Sequence, residues 1–147
     1  MSHTGAARAA VDNLSKSLSV EWAMSGVRVN CVAPGIVFSE TAEANYKKIP
    51  GGTIALSGQW PKIPAKRVAT TEEVSGAVVF LASPAAAYIT GTTLRVDGGG
   101  SIYRSQTPDL PNHDKFAVFG RQVPPKPSQE QIDEAGDMFS VVLQASL

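Results

Sequence analysis

The sequence predicts an α/β fold built on a parallel sheet. Three observations carry that expectation: an opening stretch with helical periodicity, two short runs with strand character, and a second helical stretch between them. Helix, strand, long loop, helix, strand is the order of a right-handed crossover between parallel neighbours. That crossover is the unit of a doubly wound sheet.

The first element is SHTGAARAAVDNLSKSLSVEW, in which Ala7, Val11, Leu14, Leu18 and Trp22 recur every three or four residues as a helical stripe. Thr4 is the expected N-cap and Gly26 the expected C-terminal glycine. In GVRVNCVAPG, Val27, Val29, Cys31, Val32 and Ala33 read as a short buried strand that Pro34 and Gly35 stop. From Ile36 to about Val68 periodicity is weak and Gly and Pro are frequent. So long a connection reads as a functional loop, a lid over residues 40–66. Thr70 and Glu73 form a capping box ahead of VSGAVVFLA, a helix with Val74, Ala77, Val78 and Leu81 on one face, which Ser83-Pro84 ends. In YITGTTLRVDGGG, Leu94 and Val96 alternate with Thr93 and Arg95 as a strand. Residues 1–105 are therefore expected to form the domain. Residues 106–127 read as a proline-rich linker or surface strap, and residues 128–147 as a candidate helix weakened by Gly136.

Composition excludes several functions. Thirteen basic residues balance thirteen acidic ones, so no nucleic-acid or anionic-membrane partner is expected. The single cysteine, Cys31, rules out an internal disulfide and reads as a small core residue. With only His3 and His113 beside it, no metal cluster is expected. The longest strictly apolar run, Ala77 to Ala82, is too short to cross a bilayer, and the first residues do not read as a leader. Glu72 and Glu73 suit the first turn of a helix, and Asp97 suits a turn after a strand. No G-x-G-x-x-G or Walker loop occurs.

One stretch points to a ligand. In an open parallel sheet, ligands bind just beyond the carboxyl ends of the strands. Pro34, Gly35, Ile36, Val37, Phe38 and Ser39 stand at such an end, where backbone amides and a hydroxyl would meet a bound ring or amide.

RVNCVAPG followed by Ser39 resembles the segment after the sixth strand of the classical short-chain dehydrogenases/reductases. IPAKRVATTEEVSGAVVFLASPAAAYITGTTLRVDGG is similar to that family's final helix and seventh strand. HTGAARAAVDNLSKSL, QWPKIPAKR and PDLPNHDKF extend the likeness to its peroxisomal trans-2-enoyl-CoA reductases. The resemblance implies the C-terminal half of a Rossmann-like doubly wound domain, preceded in complete members by five strands and the pyrophosphate loop. It implies NADPH as cofactor, with Pro34, Gly35, Ile36, Val37 and Ser39 around the nicotinamide amide. The implied reaction is hydride transfer to the β-carbon of a trans-2-enoyl-CoA, followed by proton delivery to the α-carbon.

The family's Tyr-x-x-x-Lys falls on Thr4 and Arg8, so Arg8 would hold the ribose and Thr4 would stand where a phenol is usual. Asp12 and Lys16 repeat the spacing two turns later, again without the tyrosine; an exposed ion pair is the plain alternative. Tyr46, Ile54, Leu56 and Trp60 are candidate acyl-channel residues. Lys47, Lys48, Lys62, Lys66 and Arg67 are candidates for CoA phosphates. The expected partners are an acyl-CoA substrate and further subunits, either as a homo-oligomer or by association with full-length copies. Two alternatives accompany this reading: a truncated, non-catalytic chain that joins full-length subunits, and a related 3-oxoacyl or 2,4-dienoyl-CoA reductase. The resemblance places the protein in the peroxisome, with the cytoplasm as alternative. Ala145-Ser146-Leu147 approximates the C-terminal import signal, except that Ser146 replaces its basic residue.

Overall fold

The computed structural model describes residues 2–48, 60–102, 115–120, 128 and 130. Two compact units divide the chain: Met1–Pro34 with Glu73–Val96, and Gly35–Glu72 with Asp97–Leu147. The elements in chain order are α1 (Ser2–Glu21), β1 (Cys31–Pro34), α2 (Glu40–Tyr46), α3 (Thr71–Ala82) and β2 (Thr93–Val96).

In the first unit β1 and β2 pair in parallel, with Cys31 opposite Thr93 and Pro34 opposite Val96. The parallel pairing expected from the element order is present, and the fold is α/β. Strand β1 is shorter than the predicted 27–33, because the residues before it bond to the approach of β2 mainly through side chains. Asn30 donates from Nδ2 to the Ile89 carbonyl at 2.9 Å and accepts from the Thr92 N–H at Oδ1, 3.1 Å. The Val29 N–H donates to Thr90 Oγ1 at 3.1 Å. Pro34 is the last strand residue rather than a stop before it, a terminal place where its missing N–H costs little.

Helix α1 corrects the sequence reading in two respects. Thr4 lies inside the helix, so it is no N-cap, and Gly26 (φ +73) closes a separate 3-10 turn, Ala23–Ser25. More consequentially, the apolar stripe faces out: Val11 is 58% exposed, Leu14 56% and Trp22 47%. The buried residues of α1 are Ser15 and Ser19. Their hydroxyls donate back to the carbonyls of Asp12 and Lys16, at 2.9 and 2.7 Å, so burial leaves neither unsatisfied. Closeness explains the choice. A Cβ built on Gly91, itself at φ +72, would stand 2.7 Å from Ser19 Oγ, an approach that a Leu or Val face would prevent.

Helix α3 ends at Ala82, and Ser83 caps a 3-10 turn, Pro84–Ala86, by accepting from the Ala85 N–H. Of the predicted inner face Leu81 is buried, whereas Val78 is half exposed. Arg28 closes the C-terminus of α3, its guanidinium donating to the carbonyls of Leu81 (2.7 Å), Ser83 (3.4 Å) and Ile89 (3.3 Å). A fixed cation beside orphan carbonyls complements both the dipole and the hydrogen-bond deficit of a helix end.

In the second unit the stretch expected to be a lid begins with a helix. Ser39 accepts from the Ala42 N–H and caps α2, which carries a Glu43–Lys47 ion pair at 2.7 Å. A Ser before Glu-Thr-Ala-Glu was a readable start signal. Residues 49–59, with the channel candidates Ile54 and Leu56, lie outside the described residues. The small core of this unit holds Ile63, Ala65 and Val68. The turn after β2 is tied by Asp97, whose carboxylate accepts from the N–H groups of Gly99 and Ser101. The turn then docks on the Ala65 segment, where Ala65 donates its N–H to the Gly98 carbonyl at 3.1 Å. Residues 115–120 run beside residues 67–72; most of the remaining tail, including the candidate helix over 128–147, lies outside the described residues.

Candidate functional site

The loop leaving β1 is shaped by backbone proximity. A Cβ on Gly35 would come within 2.9 Å of the Asp97 Cα, so only glycine lets the two backbones pass this closely. Beyond it, Val37 forms a parallel bridge with Ala69. Ala69 donates its N–H to the Ile36 carbonyl at 2.9 Å and accepts from the Phe38 N–H at 2.8 Å. Successive peptide groups of an extended chain face opposite sides. The N–H and C=O of Val37 therefore point away from Ala69, and neither has a hydrogen-bond partner among the described residues. One donor beside one acceptor on the same edge is the complement of a primary amide, which presents its carbonyl oxygen and an N–H side by side. The nicotinamide carboxamide is such a group, and the residues present fit it.

Ser39 follows as the N-cap of α2, its Oγ accepting one hydrogen bond from Ala42 at 3.1 Å. Its hydroxyl proton stays available as a donor. A cleft of about 460 Å³ lies against this corner, with Phe38, Ser39, Thr41, Thr70 and Glu72 in its wall.

The other candidates belong to α1. Arg8 is exposed and reaches back to the Thr4 carbonyl at 3.5 Å, a weak contact that leaves most of the guanidinium open. The Thr4 hydroxyl makes no hydrogen bond among the described residues. Asp12 differs. One carboxylate oxygen accepts from Lys16 Nζ at 2.7 Å, and the other accepts from the hydroxyl of Thr93 on β2. The Lys16 ammonium first, and then the Thr93 hydroxyl, hold its carboxyl below the usual carboxylate range. Asp12 is thus an ionised tie between helix and strand. Among the described residues no cluster of His, Cys, Asp or Glu is suited to a metal ion.

The basic residues of the lid region divide. Lys66 is only 5% exposed and donates to the Pro61 carbonyl at 2.6 Å; Arg67 donates to the carbonyls of Ala117 (2.6 Å) and Val68 (3.1 Å). Both serve backbone acceptors rather than a solvent-facing phosphate. Ala69, the partner that aims Val37, had no sequence signal, because its role is a pairing 32 positions along the chain that no local pattern encodes.

Parallel strands joined through a helix place the chain among the α/β proteins of the doubly wound type. Residues 1–101 match the family model described as enoyl-(acyl carrier protein) reductase, and the chain belongs to the short-chain dehydrogenase/reductase family of oxidoreductases. It is 42% identical over 97 residues to the peroxisomal 2,4-dienoyl-CoA reductase of Danio rerio, covering 66% of this chain and 31% of that one. A 3-oxoacyl-[acyl-carrier-protein] reductase of Mycobacterium avium is 44% identical over 94 residues, covering 64% of this chain and 34% of the relative. Among solved structures, an NADPH-bound short-chain oxidoreductase of Pseudomonas aeruginosa with an atypical catalytic center is 38% identical. It superposes with a TM-score of 0.58 over 67% of this chain and 38% of its own. The chain spans about a third of the length of the curated relatives it matches.

Proposed function

We propose that the chain takes part in NADPH-dependent reduction of an unsaturated acyl-CoA, trans-2-enoyl-CoA being converted to saturated acyl-CoA in peroxisomal fatty-acid metabolism. The observation that carries this reading is the open donor–acceptor pair of Val37 at the end of β1. NADPH, when bound, supplies the hydride. Val37 and Ser39 hold its carboxamide, and Gly35 lets the loop pass close to the neighbouring turn. Arg8 keeps a positive charge for the ribose. The Thr4 hydroxyl donates toward the thioester oxygen, where negative charge collects as the β-carbon accepts hydride. Such a donor need not surrender its proton, so an alcohol suffices where a phenol is usual, and the α-carbon of the enolate would take its proton from solvent. Asp12 fixes the facing of α1 through Thr93.

The named relative favours a second reading, reduction of 2,4-dienoyl-CoA to a (3E)-enoyl-CoA. There hydride adds at C5, the proton adds at C2, and the remaining double bond lies between C3 and C4. Crotonyl-CoA and 2,4-hexadienoyl-CoA, each assayed with NADPH and the purified chain, separate the two by which is consumed. Val37→Pro, which removes one outward N–H while sparing both bonds to Ala69, is expected to weaken NADPH binding about tenfold. Unchanged affinity would remove Val37 from the site. Neither binding nor turnover from a folded sample would favour the non-catalytic, subunit-associating role.

A further inference from the structure

Residues 115–120, KFAVFG, lie beyond the stretch that matches the family model, yet they are fastened to the segment that aims Val37. Arg67 Nη2 donates to the Ala117 carbonyl at 2.6 Å, and Thr70 Oγ1 donates to the Phe119 carbonyl at 2.6 Å. Ala117 and Phe119 are two positions apart, so in an extended run their carbonyls face the same side. Arg67 and Thr70 bracket Val68 and Ala69; Val68 is 1% exposed and Thr70 2%. Ala69 in turn holds both the Ile36 carbonyl and the Phe38 N–H. The 68–70 run therefore has two neighbours: residues 36–38, through the Val37–Ala69 bridge, and residues 117–119, through the Arg67 and Thr70 side chains. The second is held by side chains where a sheet would use backbone. Gly120 completes the fit: at φ +89, a Cβ there would stand 2.5 Å from the Glu72 Cβ.

We propose that residues 115–120 buttress the cofactor-facing loop, holding the 67–70 run in place so that Ala69 keeps Val37 aimed outward. This rests on the reading of Val37 as the carboxamide contact, and makes Thr70 and Gly120 positioning residues for it. A two-residue bridge by itself is too short to be firm; pinning its outer partner from the far side limits local opening.

The test perturbs the contact from both sides in the full chain. Thr70→Val removes the donor to Phe119 with little change of shape, Gly120→Ala drives the strap off Glu72, and Thr70→Ser restores the hydroxyl. Hydrogen exchange is followed in peptides covering residues 36–42 and 67–72, with the β1–β2 pair, residues 31–34 and 93–96, as control. The expected result is exchange about tenfold faster around Phe38 and Ala69 in both variants, wild-type exchange in Thr70→Ser, and an unchanged control. Unchanged exchange at residues 36–42, or equal acceleration in the control, would overturn the buttress. An NADPH titration on the same samples then judges the underlying reading separately. Faster exchange with undiminished NADPH affinity keeps the buttress and removes the cofactor contact from Val37.

Discussion

Asp12 and Lys66 are polar residues whose work is to fix the backbone. The Asp12 carboxyl titrates below its ordinary value near 3.8 because Lys16, and then Thr93, stabilise the anion. A carboxyl depressed in the folded state contributes stability that is complete above its unfolded value and disappears as pH falls through the folded one. Asp12→Asn should therefore flatten the acid limb of stability between those two values, read as the urea midpoint against pH. An acid limb identical to wild type would show that the tie is not sensed. Lys66 holds a left-handed backbone (φ 55), which costs a non-glycine residue about 1 kcal/mol, while its buried ammonium clasps the Pro61 carbonyl. Lys66→Ala loses the clasp and keeps the strain; Lys66→Gly loses the clasp and relieves it. Urea denaturation should rank wild type, then Gly, then Ala, the variants differing by about 1 kcal/mol. The sequence disclosed the spacing of Asp12 and Lys16, but neither Thr93 nor the conformation of Lys66. The first is a partner 81 positions away, and the second has no glycine to mark it.

Among the elements, what was legible followed from local chemistry. Both long helices and both strands were readable in order, because periodicity, capping residues and Ser-Pro or Gly stops act over a few positions. The facing of α1 was not readable. Periodicity locates an apolar stripe without saying what covers it, and two serines that satisfy their own hydroxyls made the closer contact. Helix α2 was hidden inside an apparent loop, although Ser39 marked its start. Arg28 shows how an element depends on a distant residue: its guanidinium serves two carbonyls at the end of α3, 53 and 55 positions on. Arg28→Met keeps much of the apolar stem and leaves those carbonyls without their charged donor. A loss of about 1.5–3 kcal/mol is expected, with partial recovery in Arg28→Lys, which can reach one carbonyl but lacks the fork. Equal stability of wild type and Arg28→Met would mean that solvent replaces the guanidinium.

For the whole molecule, the decisive quantity is how little apolar surface the described residues bury. Leu81 and Ala86 are the buried hydrophobic residues of the first unit, and Ile63, Ala65 and Val68 those of the second. Against them stand exposed Val11, Leu14 and Val20 on α1 and Val79 on α3. Among the described residues the sheet has two strands of four residues, and such a pair is marginal in water unless more strands or a helix cover it. The chain spans about a third of the length of these curated relatives. The isolated 147-residue chain is accordingly expected to bind a hydrophobic dye and to unfold over a broad temperature range. Its heat-capacity change should fall well below the roughly 12–15 cal/mol/K per residue of ordinary domains, because that quantity scales with apolar area exposed on unfolding. A sharp calorimetric transition in a sample shown to be monomeric would overturn this. The described contacts would then suffice for a cooperative fold, and the outward faces of α1 and α3 would be ordinary surface.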